Sequence, residues 1–190
     1  MSDPRPKVTV HMVASLDGYI VDGDGGVSWL ETSDEYAEGV EHEDPTEALA
    51  AIGCWVIGSK TYETALELGW PYGDKPTYVL TSRDLASERD SVHFRSGDLV
   101  RLFEDELLPA HGTAWVCGGA TLVKDLLRLD LVDEVCVTIA PTLIGEGLPF
   151  FDRIGVHRPL HLKGVKAYRT GMVELSYEVI RASENGGREI

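Results

Sequence analysis

The stretch AWVCGGATLVKDLLRL, Ala114–Leu129, decides how this chain folds. Ala114 to Cys117 is a short apolar run that reads as a strand. Gly118-Gly119 interrupts it, and Ala120-Thr121 opens a helix that runs to Leu129. A strand passing through a glycine turn into a helix is half of a βαβ unit. The same unit occurs upstream, where Cys54–Ile57 (CWVI) runs into Gly58-Ser59-Lys60-Thr61 at the start of a helix. Thr77–Leu80 (TYVL) is a further strand, ending at Thr81-Ser82-Arg83, and Val92-His93-Phe94 is a minor one. Asp98–Leu108 has helical spacing, and Glu134–Ala140 (EVCVTIA) is a strand stopped by Pro141.

Outward from these units, Val8–Ala14 (VTVHMVA) reads as a strand covered on both faces. Asp17-Gly18 is a turn, Tyr19–Val21 a short extended piece, and Asp22–Gly26 a loop. From Ser33 to Ala51 the chain is acidic and helix-compatible, with Pro45 breaking that helix or starting another behind Asp44. His161–Tyr168 and Met172–Ile180 alternate like two antiparallel strands around Thr170-Gly171. The expected fold is α/β: one mixed, mainly parallel sheet with helices on both faces and a C-terminal antiparallel hairpin. One domain is expected over residues 7–181, with flexible termini at 1–6 and 182–190.

The chain has 190 residues, and 17 Lys+Arg against 32 Asp+Glu give a net charge of −15. With a pI near 4.7 and no Lys/Arg run, a nucleic-acid partner is not expected. No apolar stretch reaches membrane-spanning length and no signal-peptide core is present, so a cytoplasmic protein is expected. Cys54, Cys117 and Cys136 each lie in an apolar run and read as buried free thiols. No C-x-x-C pair or zinc-type spacing occurs, so no metal is expected.

In an open α/β sheet, ligands sit beyond the carboxyl ends of the strands. Three such ends carry polar or glycine-rich turns: Gly58–Thr61, Thr81–Arg83 and Gly118–Leu122. Gly118-Gly119 removes two β-carbons, so a phosphate can approach the backbone ahead of a helix N-terminus. The same pair also suits a tight turn with positive φ. Lys60 with flanking hydroxyls suits a phosphate, and Ser59 also suits simple capping. Gly53 and Gly58 have Walker-A spacing, but Ser59 intervenes before Lys60 and the residues between them read as a strand. Arg83 with Thr81 and Ser82 can grip a phosphate monoester, or end a solvated turn. No G-x-G-x-x-G follows the first strand.

Six segments in order carry a family resemblance: VHMVASLDGYI (10–20), Trp29, VIGSKTYE (56–63), YVLTSR (78–83), VCGGATLVKDLL (116–127) and VTIAPTLIGEGLPFF (137–151). Together they resemble the dihydrofolate reductase-like fold. Within it they are most similar to the reductase domain of the bifunctional riboflavin-biosynthesis deaminase–reductase, and to stand-alone proteins of that branch. The resemblance runs from about Lys7 to Ile180. It implies an NADPH-dependent reductase. Gly58, Ser59, Lys60 and Thr61 would wrap the pyrophosphate and adenosine side. Leu80 and Thr81 would lie beside it, and Lys60, Ser82 and Arg83 would hold the 2′-phosphate. Gly118, Gly119, Ala120, Thr121 and Leu122 would bind the pyrophosphate, with a cis peptide at the Gly-Gly step. Ala14 and Ile20 would place backbone against the nicotinamide. A homodimer through edge strands is also implied.

On the substrate side, Trp29 and Asp34 match in spacing the tryptophan and helix carboxylate of dihydrofolate reductases. Asp34 would orient a heterocycle and assist its protonation, or simply start a helix, and Glu31 and Glu35 are rival carboxylates. Asp17 reads as a turn aspartate. The expected function is reduction of a small heterocyclic substrate, resembling 5-amino-6-(5-phosphoribosylamino)uracil reductase. Dihydrofolate reduction and NADPH binding without turnover are the alternatives. The family's Asp-Asn-Pro-type segment with a nearby Arg has no counterpart in LELGWPYGDKPTYVL (66–80), which sets the riboflavin substrate apart from the reductase class.

Overall fold

The computed structural model describes residues 5–41 and 49–181. Among the described residues the ten strands are β1 (Lys7–Ser15), β2 (Tyr19–Asp22), β3 (Cys54–Gly58), β4 (Thr77–Leu80), β5 (Val92–Arg95), β6 (Thr113–Val116), β7 (Glu134–Ala140), β8 (Gly147–Pro149), β9 (Leu160–Ala167) and β10 (Val173–Val179). The helices are α1 (Ser59–Glu67), a continuous segment α2 over 99–111 whose middle, Leu102–Leu107, is π-helical, and α3 (Ala120–Arg128). Among the described residues no helix is long and apolar enough to cross a membrane.

Eight strands form one sheet in the order β5-β4-β3-β6-β1-β7-β10-β9. From β5 to β7 every neighbouring pair is parallel, and β10 and β9 join antiparallel. The mixed sheet and terminal hairpin expected from the sequence are therefore present. Alternation along the strands separates two cores. Val8, Val10, Met12 and Ala14 of β1 face Leu102, Phe103 and Leu107 of α2 and Leu122, Val123, Leu126 and Leu127 of α3. Ile57 and Val79 face Tyr62 and Ala65 of α1 on the other side. Asp98 starts α2 because its carboxylate accepts from the backbone N–H groups of Val100 and Arg101. The short strand β2 pairs with β8 in a separate ribbon, and Ile20 of β2 and Phe150, just after β8, join the α3 core.

One element departs from expectation. Residues 33–41 are not helical. The N–H of Tyr36 donates to the Arg169 carbonyl, the N–H of Val40 to that of Ala167, and the N–H of Arg169 to that of Val40. These bonds lay the segment along the β9–β10 hairpin, so pairing with a distant strand overrides local helix compatibility. Asp44 and Pro45 lie outside the described residues. So do 1–4 and 182–190, most of the expected termini.

Candidate functional site

All six parallel strands end at one edge of the sheet. After β3 the chain turns through α1 toward β4. After the adjacent β6 it turns through α3 toward β7, the opposite direction. Neighbouring strands with divergent connections define the crevice where open α/β sheets take ligands. At this point Gly58 N–H donates to the Gly118 carbonyl at 3.0 Å, and Cys117 N–H to that of Val56 at 3.1 Å. Thr61 closes over the pair: a β-carbon on Gly118 would lie 3.4 Å from its hydroxyl oxygen. Gly118 has φ +108°, a region that L side chains rarely adopt, and the Gly118–Gly119 peptide is cis, as the resemblance implied.

Both helix starts are bare. Gly58 and Gly119 occupy the N-cap positions, and neither α1 nor α3 has a side-chain capping bond. The capping alternative for Ser59 is thus not what forms, because Ser59 is already the first helical residue. First-turn N–H groups of two helices converge on one crevice without side-chain partners, an arrangement suited to an anion.

Lys60 is exposed on α1. Thr81, Ser82 and Arg83 follow β4, where the Thr81 hydroxyl accepts from Arg83 N–H and fixes the turn. The Arg83 guanidinium reaches back to α1 and donates to Glu63 Oε1 at 2.6 Å. That bond, assisted by the nearby charges of Arg83 and Lys60, holds Glu63 below the usual carboxylate range. The structure therefore brings Lys60 and Arg83 together around one carboxylate. Leu80 is half-buried against the core, and Thr121 is exposed on the first turn of α3. Ala120 and Leu122 point into the core and present only backbone to the crevice. Ala14 is the penultimate residue of β1 and Ile20 lies on β2, both in that same core below the crevice.

The far end of the edge is built differently. Trp29 sits in a 3-10 turn, Ser28–Leu30, and its indole N–H is buried without a partner among the described residues. Asp34 is exposed and stands against the hairpin tip: a β-carbon on Gly171 would run into its carboxylate. Thr32 anchors the segment, donating to the Thr170 carbonyl at 3.3 Å and accepting from Asp34 N–H at 3.2 Å. Of the rival carboxylates, Glu35 is taken up by Arg169 at 3.1 Å, which also holds Glu41 at 3.0 Å. Asp17 has the turn role read for it. It accepts from the Ser15 hydroxyl and from the N–H groups of Ile144 and Gly145, joining the end of β1 to the turn after β7.

Two neighbours of the crevice were not singled out from the sequence. Arg95-Ser96 ends β5 beside Thr81, whose N–H donates to the Arg95 carbonyl at 2.9 Å. The visible signal was a polar turn after a minor strand. The second is the hairpin tip beside Asp34: Thr170-Gly171 read as a turn, but nothing local showed what it would meet. The Walker-like spacing is settled too, because the residues between Gly53 and Gly58 form β3.

The layers, strand order and crevice define the dihydrofolate reductase-like fold. The dihydrofolate reductase of Enterococcus faecalis in complex with NADP(H) superposes over 93% of this chain and 98% of its own, with a TM-score of 0.59 at 14% identity. A structure described as a riboflavin biosynthesis protein from Shewanella sp. PV-4 covers 92% of this chain and 99% of its own, with a TM-score of 0.79 at 25% identity. The uncharacterised YwjB of Bacillus subtilis is 32% identical over 174 residues, 90% of this chain and 97% of its own. The model of the RibD C-terminal domain matches residues 56–174, and the chain belongs to that family. Membership carries the class, a reductase of the riboflavin-pathway type.

Proposed function

We propose that the chain is a reductase that takes NADPH across the carboxyl edge of its sheet and reduces a small heterocycle. The observation that carries this reading is the meeting of two uncapped helix N-termini at Gly58 and Gly118-Gly119, with Lys60 and Arg83 alongside. From the end of β4 to the end of β7 is four strand spacings, about 19 Å, a span suited to an extended dinucleotide. The N–H groups at the starts of α1 and α3 would receive the pyrophosphate. Lys60, Ser82 and Arg83 would hold the 2′-phosphate, with Arg83 exchanging its Glu63 partner for phosphate oxygens. Ala14 and Ile20 would bound the nicotinamide.

NADPH supplies a hydride when bound. The chain must position the acceptor and deliver a proton. Asp34, at the same edge and exposed, is the carboxyl group offered for that proton. The stretch 66–80 offers no free cation for a ribosyl phosphate. Its Trp70 is buried, and Lys75 donates to the Ile52 carbonyl at 2.7 Å. This favours a heterocycle without that phosphate. A homodimer would use the edge strand β9, whose Leu160, Leu162 and Val165 are exposed.

Titration with NADPH and NADH, read by tryptophan quenching, tests the reading. Strong preference for NADPH is expected, and Arg83→Ala should cost about 10- to 100-fold in NADPH affinity while leaving NADH binding nearly unchanged. Failure to bind either nucleotide would overturn it. Turnover of dihydrofolate that collapses in Asp34→Asn would identify a folate substrate. NADPH binding with no turnover over a panel of heterocycles would leave a binding protein.

A further inference from the structure

The sheet has a second cluster of reactive side chains, on the face opposite α3. His11 of β1 and Cys136 of β7 are register partners, and Cys136 is also the register partner of Ser176 on β10. Glu174, two residues before Ser176, lies opposite Thr138 on the same face. Three adjacent strands thus put an imidazole, a thiol and a carboxylate side by side. We propose that His11, Cys136 and Glu174 form a binding site for a divalent transition-metal ion, zinc being the natural fit.

The geometry carries the proposal. Imidazole nitrogen, Cys136 Sγ and a Glu174 carboxylate oxygen all lie within 4.8 Å of one another, and His11 Nε2 is 4.0 Å from Glu174 Oε2. Small rotamer changes would close these donors onto one ion at zinc bond lengths of about 2.0–2.3 Å. The surrounding groups orient each donor. The Trp115 ring meets His11 edge-on, with centroids 5.4 Å apart. The Tyr168 hydroxyl donates to Glu174 Oε2 at 3.1 Å, and the Ser176 hydroxyl donates to Cys136 Sγ at 3.7 Å. Outer groups of this kind fix ligand direction in metal sites. Thr138 Oγ1 lies 3.5 Å from His11 Nε2.

Charge and donor type narrow the ion. A carboxylate and a thiolate sum to two negative charges and a neutral imidazole adds none, so the three donors match a divalent cation, with Lys166, the register partner of Glu174, as the cationic neighbour of the cluster. One nitrogen, one sulfur and one oxygen suit zinc, with a water in the fourth position, better than the all-oxygen preference of magnesium or calcium. On binding, the Cys136 S–H bond breaks, the proton leaves to solvent, and the sulfur pair forms the metal–sulfur bond. No electron changes hands. The ion would tie the parallel strands β1 and β7 to the antiparallel β10.

The test is a titration of the untagged, chelator-treated protein with Co2+ and then Zn2+. One equivalent of Co2+ should give a near-ultraviolet thiolate-to-cobalt band and the visible bands of tetrahedral cobalt, and Zn2+ should displace it. Cys136→Ser should abolish the thiolate band, whereas Cys54→Ser and Cys117→Ser should keep it. His11→Gln and Glu174→Gln should each weaken Co2+ binding at least tenfold. Zn2+ should raise the thermal midpoint of the wild type and not that of Cys136→Ser. Absence of the thiolate band, or its survival in Cys136→Ser, would overturn the site. Should Cys136→Ser fail to fold, Glu174→Gln decides, because it keeps the side-chain shape: unchanged Co2+ affinity in it would overturn the site as well.

Discussion

The two ends of the sheet's carboxyl edge are assembled in different ways. At the β3–β6 end, each turn follows its own strand within a few residues, as in Gly58–Thr61 and Gly118–Leu122, and parallel pairing brings the turns together. At the β7–β10 end, Asp34 stands where it does because a loop of the N-terminal region is laid against a hairpin 138 residues later, as the Thr32–Thr170 bond shows. The first end is local sequence placed by the sheet. The second is a tertiary contact with no local signature. If that division is functional, nucleotide binding and proton delivery should be separable by mutation.

The largest separation is expected from Asp34→Asn. Loss of a positioned acid–base group typically removes about 10²- to 10⁴-fold in rate. We expect a fall in kcat of that order on a reducible substrate, with the NADPH Kd unchanged. The paired measurement is steady-state turnover beside fluorescence titration. A parallel fall in nucleotide affinity would show that the two ends act as one unit.

Gly118→Ala breaks the comparison from the other side. A residue with a β-carbon at φ +108° costs roughly 1–2 kcal/mol of backbone strain, so the turn would shift and NADPH affinity should fall about tenfold. Gly171→Ala, at φ +76° and against the Asp34 carboxylate, is its counterpart. There we expect turnover to fall while nucleotide affinity holds. Equal effects of the two substitutions on the NADPH Kd would contradict the division.

This asymmetry also explains what the sequence could reveal. Alternating apolar strands and helices announced the parallel sheet, and the glycine and hydroxyl turns at Gly58, Thr81 and Gly118 marked its ligand edge, because each signal is contained in one stretch of chain. The segment 33–41 misled because its composition suits a helix, while its backbone is claimed by Ala167 and Arg169, over a hundred residues away. The β2–β8 ribbon and the juxtaposition of His11, Cys136 and Glu174 were hidden for the same reason. Register across strands, not spacing along the chain, creates them. A rule based on zinc-type spacing cannot detect a cluster drawn from three strands.

A finer test within the nucleotide end is Glu63→Gln. In the present arrangement Glu63 both steers Arg83 and opposes any phosphate brought near it. Both side chains are about half exposed, so solvent screens the pair and it contributes little to stability. Neutralising Glu63 should therefore tighten NADPH binding about two- to fivefold, with less effect on NADH, which lacks the 2′-phosphate. Weaker NADPH binding in this variant would instead mean that steering of Arg83 by Glu63 outweighs repulsion of the phosphate.

The smallest expected effect concerns Asp17, which sits between the two ends. The hydrogen bond from Ser15, followed by those from Gly145 and Ile144, holds its pKa below the ordinary value of 3.8. A folded-state pKa depressed in this way means that the unfolded chain takes up the proton first as pH falls. The Asp17 contribution to stability is thus complete above about pH 4 and disappears as pH drops through the folded-state pKa. Denaturant unfolding of wild type and Asp17→Asn should then show the variant less stable at neutral pH and the difference shrinking below pH 4. Because Asp17 is exposed, the neutral-pH difference should be modest. Its informative part is where it is felt: loosening the 144–145 turn should alter both nucleotide affinity and turnover, whereas a change in only one of them would assign that turn to a single end of the site.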